Sequence, residues 1–350
     1  MRQGCNQKGT LVISLDLELF WGTRDLYRLD DQRERLSQVR TAISRILDLF
    51  ERHGVHATWA TVGFLFAENR KELLKAVPAI QPEYSRCELS PYPSLTQLGF
   101  DEQEDPYHYG ASIIEAVLNT PHQEIGTHTF SHFYCLEDGQ TEAAFRSDLE
   151  AAARMAAKWK VQLRSLVFPR NQVNPGYLCT LRDLGIQSYR GAGSNWIYRE
   201  RKRSDESQFR RAVRLLDAYF NLSGHHTFDL DDIGPEAPFN FPASRLLREY
   251  SPALRVLEPL RVARICSGLN YAAKTQKVYH LWFHPEELAL NIDQNMRALR
   301  NILTRFVQLR ERGEMESLGM AELSARMMAR NRPQAMGREP SVREFAQRLG

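Results

Sequence analysis

Residues 11–22 read LVISLDLELFWG, an apolar run that carries two carboxylates, Asp16 and Glu18, near its end. In a strand successive side chains alternate between faces, so Asp16 and Glu18 point one way while Leu15, Leu17 and Leu19 point the other. Two like charges on one face repel. Buried at the end of a strand they are tolerable when something positive, a metal ion or an arginine, lies beside or between them. A surface strand with a solvated acidic face explains the stretch equally well, so the rest of the chain has to separate the two readings.

Working outward, the chain alternates short apolar strands with amphipathic helices. Residues 32–53 place Leu36, Val39, Ile43, Ile46, Leu47 and Phe50 at helical spacing, with Gly54 as the stop. Residues 55–63 (VHATWATVG) predict a second strand, and 165–169, 187–190 and 278–284 predict later ones. Helical patterns lie at 141–159, at 175–184 between Asn174 as cap and Gly185, and at 288–311. Such alternation argues for an α/β fold with a parallel sheet and functional loops at the carboxyl ends of the strands. The expected division is a short N-terminal extension (1–9), one catalytic domain (10–325) with an ordered loop inserted at about 78–110, and a C-terminal tail (331–350) rich in arginine and proline, partly disordered.

Composition narrows the function classes. At 350 residues, 43% apolar and 25% charged, with a net charge of +3, the chain has no general case for binding nucleic acid. Arginine-rich runs such as 199–203 read as solvated faces. Five cysteines, an odd number without paired spacing, fit free thiols in a reducing compartment. No stretch reaches the roughly 18 apolar residues of a membrane span, and none of signal-peptide type precedes the first strand, so a cytoplasmic protein is expected.

A second chemical cluster is EIGTHTFSH at 124–132, with His128 and His132 four residues apart. On one helical turn, or at a corner after a strand, that spacing aims two imidazoles at one point, and two histidines with a carboxylate form a common catalytic zinc shell. The peptidase pattern is excluded, because Thr129 stands where it needs glutamate. VFPRNQ (167–172) sets Arg170 at a strand end, and VYHLWFHPEE (278–287) does the same for His284. Taken singly, these two read as a surface ion pair and a capping imidazole. Four strand ends bearing an acid pair, a histidine pair, an arginine and a histidine are a more pointed coincidence. The other histidines read as surface, core or loop residues, with His225 and His226 as candidates to lie near a substrate.

SLDLE, the histidine–threonine–any–any–histidine form of HTFSH, and the late strand ending in His284 together resemble the polysaccharide deacetylase family, also called the NodB-homology or carbohydrate esterase 4 family. The likeness runs over about residues 10–323. VFPRNQ and LWFHP are similar to branches associated with cell-surface polysaccharide gene clusters. The resemblance implies a deformed (β/α)7 barrel and metal-dependent removal of an acetyl group, most often N-acetyl, from a sugar. It also implies Asp16 as general base, His128 and His132 as metal ligands, His284 as general acid and Arg170 as the partner of Asp16. The family pattern has two adjacent aspartates, the second a ligand. Here Leu17 takes that place, and alternation assigns the third ligand to Glu18, which shares a face with Asp16. The family arginine usually precedes a proline, whereas Pro169 comes before Arg170.

The expected chemistry is hydrolysis assisted by a divalent ion, zinc in the first instance, on a nucleotide- or lipid-linked acetylated sugar. Trp21, Tyr134, Trp196 and Trp282 are candidates to stack on the sugar ring. A hydrolase of a non-sugar amide on the same fold, and an inactive relative that binds glycan or a partner, are the alternatives.

Overall fold

The computed structural model describes residues 8–191 and 208–331; Trp196, the 199–203 arginine run and most of the expected N- and C-terminal segments lie outside them. Strand β1 (Gly9–Leu17) is central. The loop after it leads into helices α1 (Leu29–Ser37) and α2 (Val39–His53), then β2 (Ala57–Thr61), α3 (Arg70–Ala76), α4 (Ala111–Asn119) and β3 (Gln123–Thr127). Next come α5 (Glu142–Lys158), β4 (Ser165–Val167), α6 (Leu178–Asp183), β5 (Ser188–Arg190) and α7 (Gln208–Asp217). The chain closes with β6 (Phe239–Asn240), β7 (Arg245–Leu246), α8 (Glu258–Thr275), β8 (Val278–Phe283), α9 (Ile292–Glu311), β9 (Met315–Ser317) and α10 (Met320–Asn331).

All pairings between these strands are parallel, in the order β6-β5-β4-β3-β2-β1-β8-β7, with β9 pairing the first residues of β1. β6 lies against β5, and β7, four residues later, lies against β8. One extended segment, 239–246, therefore joins the two sides of the sheet and curls it into a deformed barrel, as expected.

Alternation along β1 divides inside from outside. Leu11, Ile13, Leu15 and Leu17 face out into the main core with α2 and α9, whereas Val12 packs with Phe239, Phe241, Met320, Leu323 and Met327. Ser14 and Asp16 follow Val12 on the inward face. The barrel thus has an apolar floor supplied by α10, a polar middle and an acidic top at the carboxyl ends of the strands. Half-buried Glu124 anchors that floor: its carboxylate accepts from Ala321 N (2.9 Å), at the start of α10, and from the hydroxyls of Thr58 (2.7 Å) and Ser165 (2.5 Å). A carboxylate at a helix N-terminus also suits the helix dipole.

Several elements depart from sequence expectation. The single helix expected over 32–53 is two, because polar α1 buries only Leu36 while α2 buries seven residues, and a break at Gln38 lets α1 turn toward the top of the barrel. The helix expected from 288 starts at Ile292, after a 3-10 turn at Pro285–Ala289. The 78–110 insert is ordered: it buries Tyr84, Leu89, Leu95 and Leu98 and braces the loop after β1 through Tyr107 O to Phe20 N (3.2 Å) and His108 O to Trp21 Nε1 (2.9 Å). No helix among the described residues is long and apolar enough to cross a membrane.

Removing the anchor of α10 tests this floor. Glu124→Ala leaves three donors without their acceptor and should lower unfolding free energy by about 3 kcal/mol, at about 1 kcal/mol per bond. Glu124→Gln should cost much less. Urea denaturation of the three proteins decides it, and an unchanged midpoint in the alanine variant contradicts the anchoring role.

Candidate active site

The top of the barrel gathers the chemistry-bearing residues. Asp16 is the last inward residue of β1, and Glu18 follows in a turn that Leu19 completes with φ +47°. A leucine there costs roughly 1–2 kcal/mol. The turn is held from across the barrel by Glu286, whose Oε1 accepts from Glu18 N (3.0 Å) and Leu19 N (2.6 Å). The Glu18 carboxylate in turn fills the space over Gly22, where a Cβ would stand 1.9 Å from Oε2.

His128 and His132 sit in a loop after β3, not on a helical turn: Thr129 and His132 have φ of +64° and +59°. Polar side chains stabilise this shape. Thr129 Oγ1 donates to His128 O (2.6 Å) and accepts from Phe133 N (2.7 Å). Buried Asp148, from α5, accepts from Phe130 N (2.6 Å) and Ser131 N (3.2 Å), and burial still pushes its carboxyl up to about 6. His128 Nδ1 donates to Val167 O (2.8 Å), which fixes the tautomer and leaves Nε2 to face Glu18 at 3.6 Å. His132 Nε2 lies 2.8 Å from the same carboxylate oxygen. One donor atom from each of Glu18, His128 and His132 falls within 4.8 Å of the others, and all three residues are buried. Burial lowers the pKa of His132 to about 4, so its imidazole is neutral, as a ligand must be. Two imidazoles and a carboxylate converging at the floor of an open cleft fit a divalent ion of the zinc type.

Asp16 does not pair with Arg170. Arg190, the last residue of β5, projects across the barrel and grips both Asp16 oxygens at 2.6 Å. Its remaining donors go to Ser14 Oγ (3.0 Å) and Asn171 Oδ1 (3.0 and 3.2 Å), and Trp282 covers the guanidinium at 4.2 Å. Ser14 is held in turn by the buried His280 (2.9 Å). Arg170 follows Pro169 in a turn where it and Asn171 are both left-handed, at φ 54° and 53°. That turn lifts Arg170 to the rim, where Asp25 takes it at 2.5 Å and Tyr134 underlies it at 4.4 Å. Arg170, expected beside Asp16, thus pairs with Asp25 instead.

His284 follows β8 and is partly exposed. Its Nε2 lies 2.9 Å from Glu18 and 3.7 Å from Asp16, and its Nδ1 lies 3.5 Å from Glu287. Burial opposes the imidazolium, but Glu18 and Glu287 outweigh it and hold the pKa well above the ordinary histidine value. Burial likewise pushes Asp16 up, and Arg190, with His128 and His284, brings it below the usual carboxylate range. Burial beside Glu18 raises Glu286 to about 7.

Above these groups opens a cleft of about 370 Å³, walled by Tyr27, Gln32 and Arg35 on one side and by Asn171 and Trp282 on others. Of the aromatic candidates, Trp282 lines it, Trp21 is core, packed on Phe64 and His108, and Tyr134 is buried beneath Arg170. His225 stacks on Tyr271 at 4.9 Å, and neither it nor His226 lines the cleft. Arg190, Glu286 and Gly22 were missed from the sequence. Arg190 carried the same signal as the residues that were found, a charge ending a predicted strand. The other two show themselves only through contacts distant in the chain.

No family model matches the chain, and no curated protein matches it. Solved structures share its fold. A protein designated a polysaccharide deacetylase from Mycobacterium smegmatis superposes with a TM-score of 0.60 at 12% identity, over 93% of this chain and 92% of that one. Another so designated, from Pseudomonas aeruginosa PAO1, gives 0.54 at 11% identity over 94% and 93%. An allantoinase gives 0.55 at 10% identity over 93% and 92%.

Because Arg190 and Asp16 are a buried pair, removing one leaves the other uncompensated. Arg190→Met should destabilise the protein by about 3–5 kcal/mol. Adding Asp16→Asn should recover a large part of that loss, a coupling that a denaturation cycle measures. Strict additivity of the two changes would show that the pair is not coupled.

Proposed function

We propose that this chain is a metal-dependent carbohydrate deacetylase that removes an acetyl group, most simply N-acetyl, from a nucleotide- or lipid-linked sugar. On this reading it acts in the cytoplasm during cell-surface polysaccharide synthesis, of the O-antigen or capsule kind. One observation carries the reading: the Glu18, His128 and His132 donors meet at the floor of a cleft between an arginine-held aspartate and a cationic histidine. The motif resemblance and the shared fold support it, and the pathway rests on the resemblance alone.

Glu18, His128 and His132 would hold the ion. When bound, a divalent ion polarises an acyl carbonyl and lowers the pKa of water toward roughly 7. Asp16, kept ionised by Arg190, accepts the proton of the attacking water at a carboxylate oxygen. Arg190 also fixes the direction of that oxygen, since both carboxylate oxygens are engaged. His284, kept cationic by Glu18 and Glu287, donates from Nε2 to the amine nitrogen as the C–N bond breaks. Trp282 and Tyr27 offer apolar faces to a sugar ring, and Gln32 and Arg35 offer donors to its hydroxyls.

The fold shared with an allantoinase makes non-sugar amides the comparison set. Metal analysis of the purified protein, with acetate release from a panel of N-acetyl sugars and product release from cyclic amides, tests the proposal. Binding of acetylated sugar without acetate release, with each candidate metal supplied, would favour an inactive glycan-binding relative.

Two variants separate the roles. Asp16→Asn should retain the metal and lose about 10²-fold or more in turnover. His284→Ala should bind metal and substrate nearly normally while turnover falls by about 10²- to 10⁴-fold. A histidine whose pKa is raised in the folded protein is charged below that pKa and loses its proton above it, so wild-type activity should fall on the alkaline side. That limb should vanish in His284→Ala. Full activity in either variant would remove that residue from the mechanism.

A further inference from the structure

Glu286 is an acid buried one layer behind another acid. It is 6% exposed, makes no salt bridge among the described residues, and keeps its Oε2 buried with no hydrogen-bond partner among them. Burying a carboxylate with so little compensation is unfavourable unless its acceptor oxygen is needed. Its Oε1 takes the amides of Glu18 and Leu19 together, at 3.0 and 2.6 Å, across more than 260 residues of chain. Those amides belong to the turn in which Leu19 is left-handed and from which the Glu18 carboxylate reaches His132 and His284. On its own chain Glu286 sits on the turn Pro285–Ala289, two residues after His284, and Arg35 reaches its carbonyl oxygen at 3.5 Å.

We propose that Glu286 is a positioning residue for metal binding: its carboxylate clamps the backbone of residues 18 and 19 and so sets the direction in which Glu18 presents its ligand oxygen. The proposal rests on the metal-binding reading of Glu18, His128 and His132. Gly22 serves the same end from the other side by leaving room for the Glu18 carboxylate. The clamp needs an acceptor, not a charge. Glutamine can supply that acceptor at the same reach, aspartate is one methylene too short to take both amides, and alanine supplies none.

Zinc affinity of the full-length protein, measured by competition with a chromogenic chelator, is compared for wild type, Glu286→Gln, Glu286→Asp and Glu286→Ala. Hydrogen exchange on overlapping peptides through residues 15–21 is followed in the same metal-free proteins. The alanine and aspartate variants should bind zinc roughly 10- to 100-fold more weakly, the range for loss of a group that orients a ligand. The glutamine variant should stay near wild type. Exchange at residues 18 and 19 should quicken in the first two and not in the third, while β1 upstream keeps its protection. A folded alanine variant with wild-type zinc affinity and wild-type exchange overturns the proposal, as does a glutamine variant as impaired as alanine. If alanine prevents folding, the contrast between the aspartate and glutamine variants decides the same question. Should wild type bind no zinc, the metal reading fails instead, and exchange at residues 18 and 19 alone decides whether Glu286 clamps the turn.

Discussion

Two carboxylates pointing into a curled, open-seamed barrel are the constraint from which most of this structure follows. Asp16 and Glu18 are both buried, and their repulsion must be offset within a few ångströms. Arg190 answers Asp16 from the opposite wall, and His132 and His284 answer Glu18 from two other strand ends. Each answering group then needs support of its own. Arg190 is held by Ser14, Asn171 and Trp282, and His284 by Glu287. The histidine loop is tied down by Asp148 and Thr129. What looks like a list of separate motifs is one electrostatic balance spread over strands β1, β3, β5 and β8.

How far this was legible in the sequence depended on whether the signal was local. β1 announced itself because alternation and the acid pair occur within a dozen residues, and α2, α5 and α9 because their apolar stripes are continuous, whereas α8 went unread. Glu18 was separable from Leu17 by parity alone, and the barrel bears out that parity: Leu17 lies in the outer core and Glu18 faces the histidines. The partner of Asp16 was not legible. Arg190 ends one predicted strand and Arg170 follows another, and the choice between them turns on two consecutive left-handed residues after β4, a conformation that Asn171 favours but that nothing local demands of Arg170. Helix α10 was not read from the sequence: it buries Met320, Leu323, Ser324 and Met327, and its place as the barrel floor depends on Glu124 from a strand nearly two hundred residues earlier.

The 78–110 insert, opaque in sequence, has a structural role at the site's back wall. It supplies carbonyls to Phe20, Trp21 and Arg24, and the Tyr84 hydroxyl accepts from Tyr134 N at 2.9 Å. The turn after β1 and the histidine loop after β3 are therefore buttressed by one common piece of chain from outside, as Glu286 secures the first of them from inside. Loops that carry chemistry need such bracing when their backbones hold left-handed non-glycine residues, as both of these do at Leu19, Thr129 and His132.

The alternation of β1 has one more consequence. A slip of one residue in its pairing would turn Leu15 and Leu17 inward and drive Asp16 and Glu18 among the aliphatic side chains of α2 and α9, far from any cation. Hydrophobic pattern and charge pairing would fail in the same step. The acids thus act as a checksum on assembly: a chain whose central strand has docked in the wrong register cannot be a stable near-copy of the native fold with a damaged site, because the error that spoils the site also forfeits the barrel.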